Sequence, residues 1–96
     1  MGLRQVLQSK RDEILRIAAK HGAYNVRVFG SVARGDDDEK SDVDFLVRME
    51  DNRSLMDLAA LLADLEALLG RAVDLAPEED LRPKLKDRIL RDAVLL

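Results

Sequence analysis

Hydrophobic positions in this chain change period from one stretch to the next, and the changes mark out its elements. Over residues 3–21, Leu3, Val6, Leu7, Ile14, Ile17 and Ala18 recur near helical spacing, with Lys10, Arg11, Asp12 and Glu13 mostly on the other side. This predicts one amphipathic helix, with Gly22 as its C-cap and His21 placed to bond the last carbonyls. From Tyr24 to Phe29 the period drops to two, Val26 and Val28 alternating with Asn25 and Arg27, as in a strand, with Tyr24 as a packing residue. Gly30 ends that strand, and Ser31 is placed to cap a short helical turn through Arg34.

Gly35 to Lys40 reads as a polar, acidic loop, Val43 to Arg48 as a second strand, and Asp51-Asn52-Arg53 as a turn. Ser54 caps a long helix that reaches Leu69 and closes at Gly70. Ala72 to Ala76 is a third, short strand broken by Pro77, and Asp80 caps a last helix with Pro83 in its first turn. Helix, strand, short helix, strand, helix, strand, helix is the order of a small α/β domain, expected to span residues 1–96 as one unit.

Composition narrows the function classes. The chain is 47% hydrophobic with one Tyr and two Phe, so its core must be built from Leu, Val, Ile and Ala. A net charge of −3 with no basic stripe argues against direct nucleic-acid binding through phosphate contacts. The absence of cysteine excludes disulfides, thiolate metal sites and cysteine nucleophiles. Charged residues interrupt the N-terminal apolar positions, and no stretch approaches membrane-spanning length, so a soluble cytoplasmic protein is expected.

The candidate chemistry sits at two strand ends. Gly30-Ser31 follows an apolar run; after ten intervening residues Asp42-Val43-Asp44 opens another. Strand alternation sends Asp42 and Asp44 to one side and Val43, Phe45 and Val47 to the other. Two close carboxylates repel and raise each other's pKa unless a cation lies between them, and all-oxygen ligands suit a hard ion such as Mg²⁺. Asp74, in Val73-Asp74-Leu75, alternates in the same way and is the best third carboxylate for a two-metal site. Gly30 lets backbone amides approach a phosphate, Ser31 adds a hydroxyl donor, and Arg34 is a candidate phosphate contact. Arg27, Arg48 and Arg71 are equal candidates for a further one.

Two imitations fail. Gly30 and Gly35 bracket four residues as in a Walker A loop, but Asp36-Asp37 stand where Lys and Ser or Thr are required. An EF-hand beginning at Asp36 would have Ser41 at its glycine and Val47 at its terminal Glu.

Gly30, Ser31, Asp42, Asp44 and Asp74, in the contexts Phe29-Gly30-Ser31-Val32-Ala33-Arg34-Gly35 and Ser41-Asp42-Val43-Asp44-Phe45-Leu46-Val47, resemble the minimal nucleotidyltransferase (MNT) branch of the nucleotidyltransferase superfamily. The resemblance implies a small mixed β-sheet flanked by helices (an α/β, or α+β, fold). It implies two Mg²⁺ ions held by Asp42, Asp44 and Asp74, with Asp74 also helping to activate an acceptor hydroxyl. Gly30 and Ser31 would hold the triphosphate of ATP. The implied reaction is in-line attack on the α-phosphate with pyrophosphate leaving. Stand-alone members of this branch are antitoxins that transfer AMP to a tyrosine of a HEPN-domain ribonuclease toxin, which makes such a toxin the expected partner.

The helix from Ser54 to Gly70 independently suggests a protein partner. Leu55, Leu58, Leu62, Leu65 and Leu69 form one apolar face; Met56, Ala60, Leu61, Ala63, Ala67 and Leu68 carry hydrophobicity around most of the remainder. A helix apolar nearly all round is buried deeply or shared with another chain, a partner or a second copy. Val94-Leu95-Leu96 is a second candidate contact. Two other readings stand beside the adenylyltransferase: an antitoxin that neutralises by binding alone, and a nucleotidyltransferase acting on an RNA or small-molecule hydroxyl.

Overall fold

The computed structural model describes residues 2–96. Its elements are α1 (Leu3–Ser9), α2 (Arg11–Lys20), β1 (Ala23–Phe29), α3 (Gly30–Arg34), β2 (Val43–Met49), α4 (Leu55–Leu69), β3 (Val73–Pro77), a 3₁₀ turn (Glu78–Asp80), α5 (Pro83–Asp92) and β4 (Val94–Leu95). The four strands form one mixed sheet in the order β3-β2-β1-β4. β2 and β3 run parallel, as a strand–helix–strand crossover through α4 requires; β1 is antiparallel to both β2 and β4.

The period-two residues of β2 settle the core. Val43, Phe45 and Val47 are all but fully buried and pack with Val28, Leu61, Leu65, Ile14 and Leu7. Leu46, on the opposite face with Asp44, is fully buried as well, so the middle of the sheet is covered on both sides. α4 is held at both ends by local chemistry. The Ser54 hydroxyl accepts from the Met56 amide while the Asp57 carboxylate accepts from the Ser54 amide, and Gly70 closes the helix in the left-handed conformation.

Several sequence expectations give way to tertiary structure. The helix expected over 3–21 is two helices meeting at Lys10 (φ −106°, ψ 12°). The Ser9 hydroxyl donates back to the Val6 carbonyl at 2.7 Å, a bond of the type that bends helices. β1 carries a bulge: Tyr24 stands opposite Arg48 and Arg27 opposite Leu46, so Asn25 and Val26 together face Val47. Asn25 takes the positive φ of 52° that an Asn tolerates best among non-glycines. The bulge reverses the alternation, burying Ala23 and turning Tyr24 out to 50% exposure, so Tyr24 is not the packing residue expected.

Asp80 lies in the 3₁₀ turn, and Arg82 occupies the N-cap of α5. Val94-Leu95 is an additional strand on β1, with Val94 opposite Val28 and Leu95 opposite Arg27. His21 is the C-cap of α2, its backbone amide donating to the Ile17 and Ala18 carbonyls, while its imidazole Nε2 pairs with Asp64 Oδ2 of α4 at 2.7 Å. The inward face of α4 centres on Leu61 and Leu65, while Leu55 stands 79% exposed.

Candidate active site

Strand register brings the site together. Phe29, the last residue of β1, stands opposite Asp44 of β2, and Asp44 stands opposite Asp74 of β3. Register partners in a sheet point to the same face, so the end of β1 and both carboxylates meet on one side of the sheet at one end. Asp42 precedes Asp44 by two positions and lies in the approach to β2, exposed.

That approach is pinned from β3's side. Arg71 Nη1 donates to the Ser41 carbonyl at 2.8 Å, and the Val43 amide donates to the Ala72 carbonyl at 3.1 Å. Asp42 therefore sits between two fixed peptide groups, tied to the segment that leads into Asp74. Upstream, the Asp38 carboxylate accepts from the Lys40 amide, and the Ser41 hydroxyl accepts from the Asp38 amide, both at 2.8 Å.

Gly30 opens α3 directly against the carboxylates. Its φ is +72°, and a Cβ there would overlap Asp44 Oδ2. Only glycine combines that backbone conformation with that proximity. Because Gly30 is already helical, the N-cap position falls on Phe29 and the Ser31 hydroxyl makes no cap bond. It is left at the rim of the site, partly exposed.

The electrostatics follow from this packing. Partial burial pushes the Asp44 carboxyl above its ordinary pKa, the neighbouring Asp74 and Asp42 push the same way, and Arg34 opposes them. No lysine or arginine among the described residues is bound to these three carboxylates, whose donors are all oxygen, the chemistry a hard divalent cation satisfies. Among the described residues, no three acidic or histidine side chains already converge as ligands around one point. Arg34, in the last turn of α3, bonds Asp92 Oδ2 through Nη1 at 2.7 Å and Asp36 Oδ2 through Nε at 3.3 Å.

Of the three other arginines, only Arg71 lies at this end of the sheet. Arg48 belongs to the far end, opposite Tyr24, and Arg27, opposite Leu46 in mid-strand, turns its Nη2 to Glu78 Oε1 at 2.5 Å, with both side chains about nine-tenths buried. Glu78 is therefore a packed ion-pair partner, not the exposed loop residue its place after Pro77 suggests. Sequence reasoning missed Asp92, whose tie to Arg34 spans 58 positions and leaves no local signal.

Two concavities lie nearby. A 360 Å³ cleft is lined by Met49, Arg53, Ser54, Leu55, Pro77 and Glu79 at the far ends of β2 and β3. A 250 Å³ groove runs between α4 and the edge strand β3, walled by Leu55, Leu58, Ala59, Leu62, Val73 and Leu75, with Asp74 as its one charged lining residue.

Comparison with known proteins agrees with this architecture. The family model for the nucleotidyltransferase domain matches residues 11–96. The chain is 44% identical over 84 residues to a Methanocaldococcus jannaschii protein named "Putative protein adenylyltransferase MJ0435", covering 88% of this chain and 90% of that one. It is 41% identical over 75 residues to the protein adenylyltransferase MntA of Thermococcus cleftensis, covering 78% and 76%. A solved structure described as a "putative minimal nucleotidyltransferase" superposes with a TM-score of 0.89 at 47% identity, over 100% of this chain and 97% of that one.

At 19% identity, the complex of a tri-AMPylated Shewanella oneidensis HEPN toxin with an MNT antitoxin shares the fold, with a TM-score of 0.69 over 96% of this chain and 70% of that one. The chain belongs to the nucleotidyltransferase family, in its minimal branch, and is an enzyme of that class.

Proposed function

We propose that this protein is a Mg²⁺-dependent protein adenylyltransferase that acts as an antitoxin, moving AMP from ATP to a tyrosine of a HEPN-domain toxin. The observation that supports it most is the register of three strand ends, which sets Gly30-Ser31, Asp44 and Asp74 side by side. The names of its relatives supply the direction: two carry protein adenylyltransferase in their names, and the MNT fold recurs in a complex with an AMPylated HEPN toxin.

Asp42, Asp44 and Asp74 would hold the metal, as two ions in this reading. Bound Mg²⁺ supplies positive charge against the triphosphate and the carboxylates. The Gly30 and Ser31 amides, the Ser31 hydroxyl and Arg34 bind the phosphates and orient the chain of the nucleotide. The acceptor oxygen forms its bond to the α-phosphorus, its proton passes to Asp74, and the bond from that phosphorus to the β-phosphate's bridging oxygen breaks, releasing pyrophosphate.

A protein acceptor fits the groove beside Asp74. Its walls are apolar, which suits the body of a hydrophobic segment presenting one hydroxyl and offers little to a sugar or a phosphate backbone. The test is intact mass spectrometry of the product of the neighbouring gene, co-expressed with this chain, after incubation with the chain, ATP and Mg²⁺. Mass gain in whole AMP units, absent with Asp42→Asn/Asp44→Asn, is the expected result. A neutralised partner of unchanged mass would overturn catalysis in favour of masking by binding. Labelling of RNA or a small hydroxyl compound but not of the protein would move the acceptor class instead.

A further inference from the structure

Arg34 lies within electrostatic reach of Asp44, yet its hydrogen-bond partners are elsewhere. Its Nη1 bonds Asp92 and its Nε bonds Asp36, and Nη2 has no partner among the described residues. Both bonds favour the charged guanidinium, Asp92 more strongly. The two carboxylates differ in what holds them. Asp36 lies in the exposed loop after α3.

Asp92 is the last residue of α5, and the chain around it is fastened to the sheet. Ile89 is buried one turn earlier, Val94 pairs with Val28, the Leu96 amide donates to the Val26 carbonyl, and Arg11 Nε donates to the Leu96 carbonyl at 2.9 Å. Asp92 is thus held by a segment fastened to the sheet, whereas Asp36 lies in an exposed loop, tied back to the Ser31 carbonyl through its own amide.

The geometry has a consequence for the site. An untethered guanidinium beside several carboxylates forms forked, charge-assisted bonds with them. Arg34 in that position would occupy the oxygens that a metal and its triphosphate need. We infer that Asp92 is a positioning residue: it holds Arg34 off Asp44 and presents the guanidinium to the nucleotide's phosphates, making the α5–β4 unit part of the nucleotide site. This rests on reading Gly30, Ser31 and Arg34 as the phosphate site.

The test is isothermal titration with AMP-PNP and Mg²⁺, together with steady-state transfer kinetics, on the full chain. Asp92→Asn is expected to weaken AMP-PNP binding and raise the KM for ATP by about two- to fivefold, the worth of one exposed ion pair, with kcat little changed. Asp92→Glu is expected to restore most of that affinity, and Asp92→Asn is expected to add nothing in an Arg34→Gln background. Wild-type affinity in Asp92→Asn, or an equal loss from Asp92→Asn without Arg34, overturns the inference while the phosphate site stands. Absence of AMP-PNP binding by the wild-type chain overturns the phosphate site and the inference with it.

Discussion

Asp44 and Asp74 stand directly opposite each other on the parallel strands β2 and β3, although α4 separates them along the chain. A sheet selected for stability alone would not place two carboxylates as cross-strand neighbours, since like charges in that position destabilise the pair. The repulsion is retained at a site where a cation can relieve it.

Asp44→Asn should therefore stabilise the metal-free protein while abolishing transfer. Burial, then Asp74 and Asp42, raise the folded-state pKa of Asp44, so the folded protein binds that proton more tightly than the unfolded chain does. The charged carboxylate then costs stability at neutral pH. Stability is regained as pH falls through the raised folded value towards the ordinary carboxylate value. Asp44 is only partly buried, so after solvent screening the gain at pH 7 is expected to be below about 1 kcal/mol. Thermal unfolding in EDTA from pH 7 to pH 4 checks this: the variant's advantage should shrink as pH falls. A variant less stable than wild type at pH 7 would contradict the assigned cause.

Gly30→Ala attacks the same contact from the other side. The new methyl group meets Asp44 Oδ2 at a φ of +72°, so backbone strain and a displaced carboxylate arise together. The expected stability loss is about 1–3 kcal/mol. Transfer should fall by more than about a hundredfold, as for other misplacements of about 1 Å in an active site. Circular dichroism melting and the mass assay separate the two effects.

Much of this site was legible in the sequence because it depends on short-range pattern. Alternation around Asp44 and Asp74, the Gly-Ser step and the Ser54 and Gly70 caps are all local signals, and each element they predicted exists. What escaped depends on distant partners. β4 is two residues long, too short for any period, and exists because β1 offers it an edge. The bulge at Asn25 becomes visible only once β2 fixes the register. Arg27 and Glu78 form a buried pair from opposite halves of the chain, and nothing beside either residue announces the other.

That pair carries a third prediction. Its side chains are 12% and 13% exposed, so removing the charge of Glu78 leaves Arg27 buried without its partner. Glu78→Gln is expected to cost about 2 kcal/mol, read as a lower urea midpoint at unchanged slope. The Arg27 bond lowers the pKa of Glu78, so this contribution is present above the ordinary glutamate value and is lost as pH falls through the depressed folded value. The difference between variant and wild type should persist at pH 7 and close in strong acid, with the variant the less stable of the two, opposite in sign to the difference expected for Asp44.

α4 supplies the last contrast, between residues that hold the fold and residues free to meet a partner. Leu61 is fully buried in the core, and Leu61→Ala should cost about 2–4 kcal/mol through lost burial and the cavity left behind. Leu55 and Met56 are each 79% exposed on the same helix, and Leu55 also walls the groove that contains Asp74. Leu55→Glu/Met56→Glu should change stability by less than about 0.5 kcal/mol per site, the ordinary range for surface substitutions. If the acceptor protein docks along this face, the same double variant should weaken the complex at least about tenfold by titration calorimetry, with AMP-PNP affinity unchanged. Equal affinity for the acceptor would remove α4's exposed end from the interface and leave the polar end of the sheet as the docking surface.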